Sequence, residues 1–203
     1  MNKFSRRYGL KVGAMLSALA ASGSLVSIQE AMAQTAIGDP VEGEGVVGGE
    51  LVIGIAELPD TLDPHKTGAA VTSTILDSCS DPLVTKDFSG NFVPGLATEW
   101  NISEDGLNWA FTIRQDVIFH DGTPVTAEDV VYSAERVLDP ASNSLFRSFV
   151  SFIDKVEVVD ETTVKFTNKF PFSLFNERIG SIKIVPKALV EADPEAFGKL
   201  PTG

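Results

Sequence analysis

Residues 92–140 read FVPGLATEWNISEDGLNWAFTIRQDVIFHDGTPVTAEDVVYSAERVLDP, and this stretch predicts strands, a tight hairpin and a capped helix. From Leu107 to Ile113, large apolar side chains alternate with smaller or polar ones. That period of two predicts a strand with one buried face. The Glu-Asp-Gly sequence at 104–106 predicts the turn before it, because glycine tolerates positive φ. Asp121-Gly122 predicts a second turn after a short strand at Ile118 and Phe119.

A helix is predicted to follow these turns. Thr126 is its expected N-cap, and acidic Glu128 and Asp129 lie in its first turn, where the helix dipole favours negative charge. Asp129 occupies the place where a capping box usually has glutamate, so we predict only an approximate box. Asp139-Pro140 ends the helix. Its apolar stripe comprises Val130, Val131, Ala134, Val137 and Leu138.

The same stretch resembles the signature region of the family 5 extracellular solute-binding proteins, the dipeptide, oligopeptide and nickel receptors of ABC importers. The resemblance extends over residues 51–203 and implies an α/β (mixed α+β) fold of the type II periplasmic binding protein class, with a mixed sheet and flanking helices. It further implies that 51–76 and 186–203 belong to a hinge-proximal subdomain and 77–185 to an inserted one. The residues that carry the resemblance are Pro94-Gly95-Leu96-Ala97, Trp100, Ser103-Glu104-Asp105-Gly106-Leu107, Phe111, Arg114, Phe119-His120-Asp121-Gly122-Thr123-Pro124 and Thr126-Ala127-Glu128-Asp129-Val130-Val131-Tyr132-Ser133.

The charge balance of the 203-residue chain excludes some partners. Its net charge is −12, and the first 33 residues carry +3, so the remainder stands at −15. Such an acidic protein argues against nucleic acid and anionic membrane surfaces as partners. Cys79 is the single cysteine, which rules out a disulfide within the chain. We interpret it as a small buried side chain, with dimerisation or thiol reactivity as the alternative.

Residues 1–33 predict an export signal. A basic start precedes an apolar run broken by small residues, and Ala31-Met32-Ala33 fits a small-x-small cleavage site after Ala33. Arg6 and Arg7, flanked by Ser5 and Lys11, resemble the twin-arginine motif. We favour twin-arginine export, with a general secretory signal as the alternative. Residues 34–50 predict a flexible lead-in that is too poor in apolar side chains to order itself.

The candidate ligand site lies in the loop after a buried strand expected at 51–56. In the resembling family, a loop of this Leu-Asp-Pro-His type lies at the ligand cleft, and strand-tip loops commonly carry ligand sites. The alternative is an ordinary surface turn with Asp63-Pro64 at its corner. The resemblance implies five ligand-binding candidates: Leu58, Pro59, Thr61, Leu62 and His65.

Catalytic and metal chemistry finds little support in the sequence. His65 and His120 lack a second histidine or cysteine at metal-ligand spacing. The turn explains His120-Asp121 better than an acid–base pair does. We recognise no nucleophile elbow, phosphate loop or dinucleotide fingerprint, and we expect no catalytic residue, metal or cofactor.

Two further segments carry structural predictions. Phe146, Phe149 and Phe152 recur every three residues, which predicts one helical face, either packed in the core or reaching the cleft. Ile182 to Val185 predicts a strand.

The resemblance therefore implies a periplasmic receptor, not an enzyme, that captures a peptide or similar small solute for ABC permease subunits. We expect a monomer that meets the export translocon but no nucleic acid. We also expect a truncated N-terminal portion without the second lobe, so that the isolated 34–203 fragment binds peptides weakly or not at all in calorimetry. The alternatives are an exported chaperone-like or scaffold protein, which would co-purify with clients, and a periplasmic hydrolase, whose turnover would be lost in His120→Ala.

Overall fold

The computed structural model describes residues 52, 54, 55 and 57–199. Three predicted segments lie wholly or partly outside the described residues: the export signal with Arg6, Arg7 and Ala33, the lead-in at 34–50 and the strand at 51–56. The described residues of 51–56 contradict a buried strand, since Val52 is 82% and Ile55 39% exposed and neither lies in a strand. The described residues from Gly54 onward belong to one compact unit. Its helices are α1 (Ala70–Cys79), α2 (Ala127–Leu138), α3 (Phe175–Ile179), α4 (Lys187–Ala192) and α5 (Pro194–Phe197). Its strands are β1 (Val84–Lys86), β2 (Phe92–Pro94), β3 (Ala97–Ile102), β4 (Asn108–Ile113), β5 (Ile153–Val158) and β6 (Thr163–Asn168).

The main sheet has the strand order β3-β4-β6-β5, and every neighbouring pair is antiparallel. Strands β1 and β2 form a separate antiparallel hairpin. The predicted α/β, mixed α+β class is confirmed, although the sheets of the described residues are antiparallel rather than mixed. The alternation predicted for β4 is also confirmed, since Trp109, Phe111 and Ile113 are at most 5% exposed. Gly106 and Gly122 have φ of 70° and 89°, as their turns require.

The core lies between the apolar face of this sheet and the helices. Phe175 of α3 is fully buried, and its ring stacks on Trp109 with centroids 4.4 Å apart. Helix α2 packs against β5 and β6 and buries Val130, Ala134 and Val137. These contacts fix α2 relative to the sheet, and α2 carries the residues that position the candidate site.

The N-terminus of α2 has a complete capping box. Thr126 Oγ1 accepts a hydrogen bond from the Asp129 amide (3.3 Å), and Asp129 Oδ2 accepts one from the Thr126 amide (3.0 Å). The shorter aspartate thus does what glutamate usually does. Asp129 Oδ1 also accepts from the Lys187 amide (2.9 Å), while Ser133 Oγ accepts from the Val185 amide (3.0 Å). Helix α2 therefore fixes the chain that leads into α4.

Three local predictions within residues 118–185 were wrong. Ile118 and Phe119 form no strand; Ile118 makes only an isolated bridge to Pro124. Ile182 to Val185 is no strand; Lys183 makes only an isolated bridge to Pro82, which has no N–H to extend a ladder. Residues 141–152 form no continuous helix but two 3-10 turns, Pro140–Ser142 and Arg147–Phe149. Hydroxyls of Ser142 and Ser144 accept nearby amides there, which competes with helical bonding.

Candidate ligand loop

The five candidate residues lie in the segment 57–69, here called the 57–69 loop, which precedes α1. Their environments differ. Leu58 is 88% exposed, while Pro59, Thr61 and Leu62 are half-buried and His65 is 1% exposed. The loop therefore has an exposed tip and a buried base. Ligand binding by these residues stays a prediction.

One end of the base is attached to the residue after α5. The Leu62 amide donates to the Gly198 carbonyl (2.8 Å), and Thr61 Oγ1 donates to the same oxygen (3.3 Å). Thr61 Oγ1 also accepts from the Asp63 amide (3.1 Å). A Cβ at position 198 would lie 2.8 Å from Thr61 Oγ1, so glycine permits this close approach.

The other end is attached to α2 by a buried ion pair. Arg136 donates from Nη1 to Asp63 Oδ1 (2.8 Å) and from Nη2 to Asp63 Oδ2 (2.5 Å). The two side chains are 10% and 1% exposed. Asp63 Oδ1 also accepts from the His65 amide (3.1 Å), which closes the turn around Pro64. This bidentate geometry is the strong form of an arginine–carboxylate pair.

His65 connects the pair to a third segment. Its Nε2 lies 2.9 Å from the Lys183 carbonyl oxygen, and its Nδ1 lies 2.9 Å from Arg136 Nη1. A carbonyl oxygen accepts only and a guanidinium donates only, so these partners require the neutral tautomer with its proton on Nε2. Both ring nitrogens are thus bonded within the protein.

The pKa values of this cluster follow from its burial and charges. Burial lowers the pKa of His65 to about 4, with the positive charge of Arg136 acting in the same direction. Burial raises the pKa of Asp63, but the hydrogen bonds and charge of Arg136 outweigh it and the pKa is lowered overall. Burial opposes the charge of Arg136, yet Asp63 raises its pKa. At neutral pH the cluster therefore holds one ion pair and one neutral imidazole.

An open cleft of about 700 Å³ adjoins this cluster, and its lining includes Lys66, Tyr132 and Arg136. None of the five candidates is among its lining residues. In the described part of the chain, no group of three His, Cys, Asp or Glu side chains could hold a metal ion. No described helix is long and apolar enough to cross a membrane.

Arg136 is the site residue that sequence reasoning missed. It follows Asp129 and Ser133 at helical spacing, so three polar residues lie along the inner side of an otherwise amphipathic helix. That polar row within the buried face was the available signal. It shows that α2 contacts polar groups, but not that the partner is Asp63, 73 positions earlier.

The chain matches solute-binding proteins both in sequence and in structure. The profile of the bacterial extracellular solute-binding proteins, family 5 Middle, matches residues 91–203. The chain belongs to this family, as its sequence predicted. Its relatives include the periplasmic oligopeptide-binding protein OppA of Haemophilus influenzae, with 30% identity over 168 residues, or 73% of this chain and 31% of OppA.

Solved structures agree with this assignment. AgaA of A. tumefacien R10, a PBP in complex with agropinic acid, superposes with a TM-score of 0.68 and 34% identity, covering 72% of this chain and 30% of AgaA. Haemophilus influenzae OppA in complex with RPPGFSPFR superposes with a TM-score of 0.65 and 29% identity, covering 70% of this chain and 31% of OppA. The chain thus spans about a third of the length of the relatives it matches.

Proposed function

We propose that this chain forms part of a periplasmic receptor that captures peptide-like or similar small solutes for an ABC importer. The family match over residues 91–203 carries the proposal, and the relatives named periplasmic oligopeptide-binding proteins support the solute class. We further propose that the protein is a monomer and no enzyme, and that its partners are the solute, the permease subunits and the export translocon. AgaA, in complex with agropinic acid, makes opine-like solutes a second class to test.

We propose that the 57–69 loop lines the ligand cleft and that Leu58 and Pro59 make the contacts. Leu58 offers an exposed apolar side chain at the tip, and burying it against a ligand removes that surface from water. Thr61, Leu62 and His65 would act by shaping the loop, since their polar groups already bond to protein partners.

We propose that residues 51–76 and 186–203 form the hinge-proximal subdomain, with 77–185 inserted. Support comes from the Leu62–Gly198 hydrogen bond, which joins these two separate pieces of chain.

We propose that residues 1–33 form a twin-arginine export signal. Sequencing the N-terminus of the exported protein tests the cleavage site, and Gln34 is the expected first residue. Replacing Arg6 and Arg7 with lysine should block export.

Calorimetry tests the function. The full-length receptor purified from its host, and not the isolated 34–203 fragment, is titrated with RPPGFSPFR, the peptide bound in the similar OppA structure. We expect saturable binding, weakened several-fold in Leu58→Ala, because the tip loses apolar contact area. Leu174→Ala is the matched control, since Leu174 is 52% exposed and lies outside the loop. Absence of binding to this peptide and to agropinic acid would contradict the proposal.

A further inference from the structure

We propose that Arg136 is a positioning residue for the ligand loop: from α2 it holds Asp63 and His65, and through them it sets the conformation of residues 62–66. This inference rests on the proposed function in one respect only, namely that the 57–69 loop lines the ligand cleft. The attachment itself follows from contacts within the described residues.

A single guanidinium makes three contacts with the loop. Its two terminal nitrogens contact both carboxylate oxygens of Asp63, and Nη1 also reaches His65 Nδ1. A planar fork with fixed donor directions makes such contacts at once, whereas the single ammonium of lysine can replace only part of them. The side chain is 10% exposed, so water cannot substitute well for a lost contact.

The contacts of Arg136 extend into the backbone of the loop. Asp63 Oδ1, held by Arg136, accepts the amide of His65, and the Asp63 carbonyl accepts the amide of Lys66 (3.1 Å). His65 in turn bonds to the Lys183 carbonyl. The loop is therefore fixed between α2 and the segment before α4, while Leu58 lies beyond the fixed part and stays exposed.

The surroundings of Arg136 favour a fixed side chain. Its guanidinium carbon lies 6.0 Å from the ring centroid of Phe197, which is buried in α5. Tyr132, one turn earlier on α2, lines the same cleft, and its pKa is raised by burial. The other charged groups here are Asp63 in the loop and three residues that line the cleft: Lys66, Asp139 and Glu191.

The experiment measures residue-resolved amide hydrogen exchange in Arg136→Lys. We expect the amides of His65 and Lys66 to exchange at least about tenfold faster, while amides of β4 and β6 keep their rates, because only the loop loses its attachment. Arg147→Lys is the matched control, since Arg147 is exposed and donates from Nε to the Leu138 carbonyl (2.9 Å). Unchanged loop exchange would overturn the inference. Equal acceleration of loop and sheet would also overturn it, because Arg136 would then act on stability alone.

A second variant covers the case in which Arg136→Lys does not fold. Asp63→Asn keeps the shape of the side chain but removes the charge that the guanidinium pairs with, and the same loop-specific acceleration is expected. Unchanged loop exchange in this variant would count against the inference.

A binding measurement then separates the inference from the proposed function. If the wild type binds RPPGFSPFR, we expect affinity to fall about tenfold in Arg136→Lys and to hold in Arg147→Lys. Equal affinity in both variants would overturn the positioning role. If the wild type binds neither this peptide nor agropinic acid, the proposed function fails, while hydrogen exchange still decides whether Arg136 holds the loop.

Discussion

Acid should destabilise this protein through His65 at pH values at which Asp63 is still ionised. The pKa of His65 falls from 6.5 to about 4 on folding because the ring is buried beside Arg136. Between these two pKa values the unfolded chain binds a proton that the folded chain does not bind, so the free energy of unfolding falls as the pH falls. The loss begins near pH 6.5 and is complete below pH 4. The lowered pKa of Asp63 acts in the same direction, but only below its ordinary value of 3.8.

The size of the effect follows from the shift. One pKa unit corresponds to about 1.4 kcal/mol, so lowering the pH from 7.5 to 4.5 should cost about 2 to 3 kcal/mol of unfolding free energy through His65 alone. Loss of this amount is large compared with the total stability of an ordinary domain.

Urea unfolding at the two pH values measures this loss. The difference is compared between wild type and His65→Gln, which removes the titrating group, so that the contributions of all carboxylates cancel. His120→Gln is the matched control, because His120 is the chain's other histidine and its side chain is exposed rather than buried. A wild type and His65→Gln with the same pH dependence would refute the reasoning, as would an NMR titration placing the His65 pKa near 6.5.

Two further predictions concern the core. Phe175→Ala should lower the free energy of unfolding, measured with urea, by about 3 to 5 kcal/mol, since its fully buried ring stacks on Trp109. Phe88→Ala is the control, because Phe88 is exposed. Equal losses in the two variants would contradict the packing of Phe175. Gly95→Ala should cost about 1 to 3 kcal/mol, because the new Cβ would lie 2.5 Å from the Pro82 carbonyl oxygen. Gly68→Ala meets only ordinary contact at 3.5 Å, and a larger loss there than at Gly95 would count against this prediction.

The strands and helix that build the family signature were predictable because local rules determine them. Alternating side chains define β4 wherever one face is buried, and the Asp-Gly turns need positive φ whatever surrounds them. The cap of α2 was predictable for the same reason, although the full reciprocity of Asp129 was underestimated. Predictions failed at Ile118–Phe119, at Ile182–Val185 and across 141–152, where apolar residues alone do not separate core packing from regular structure.

By itself, the sequence determined the family and the fold class, because each depends on residues near one another in the chain. Only the tertiary structure decided how that loop is held. Arg136 and Asp63 are 73 positions apart, and His65 reaches a carbonyl 118 positions away. Such contacts depend on how α2 packs on the sheet, which no local pattern specifies. Burial in that packing also keeps His65 neutral, with both ring nitrogens bonded within the protein.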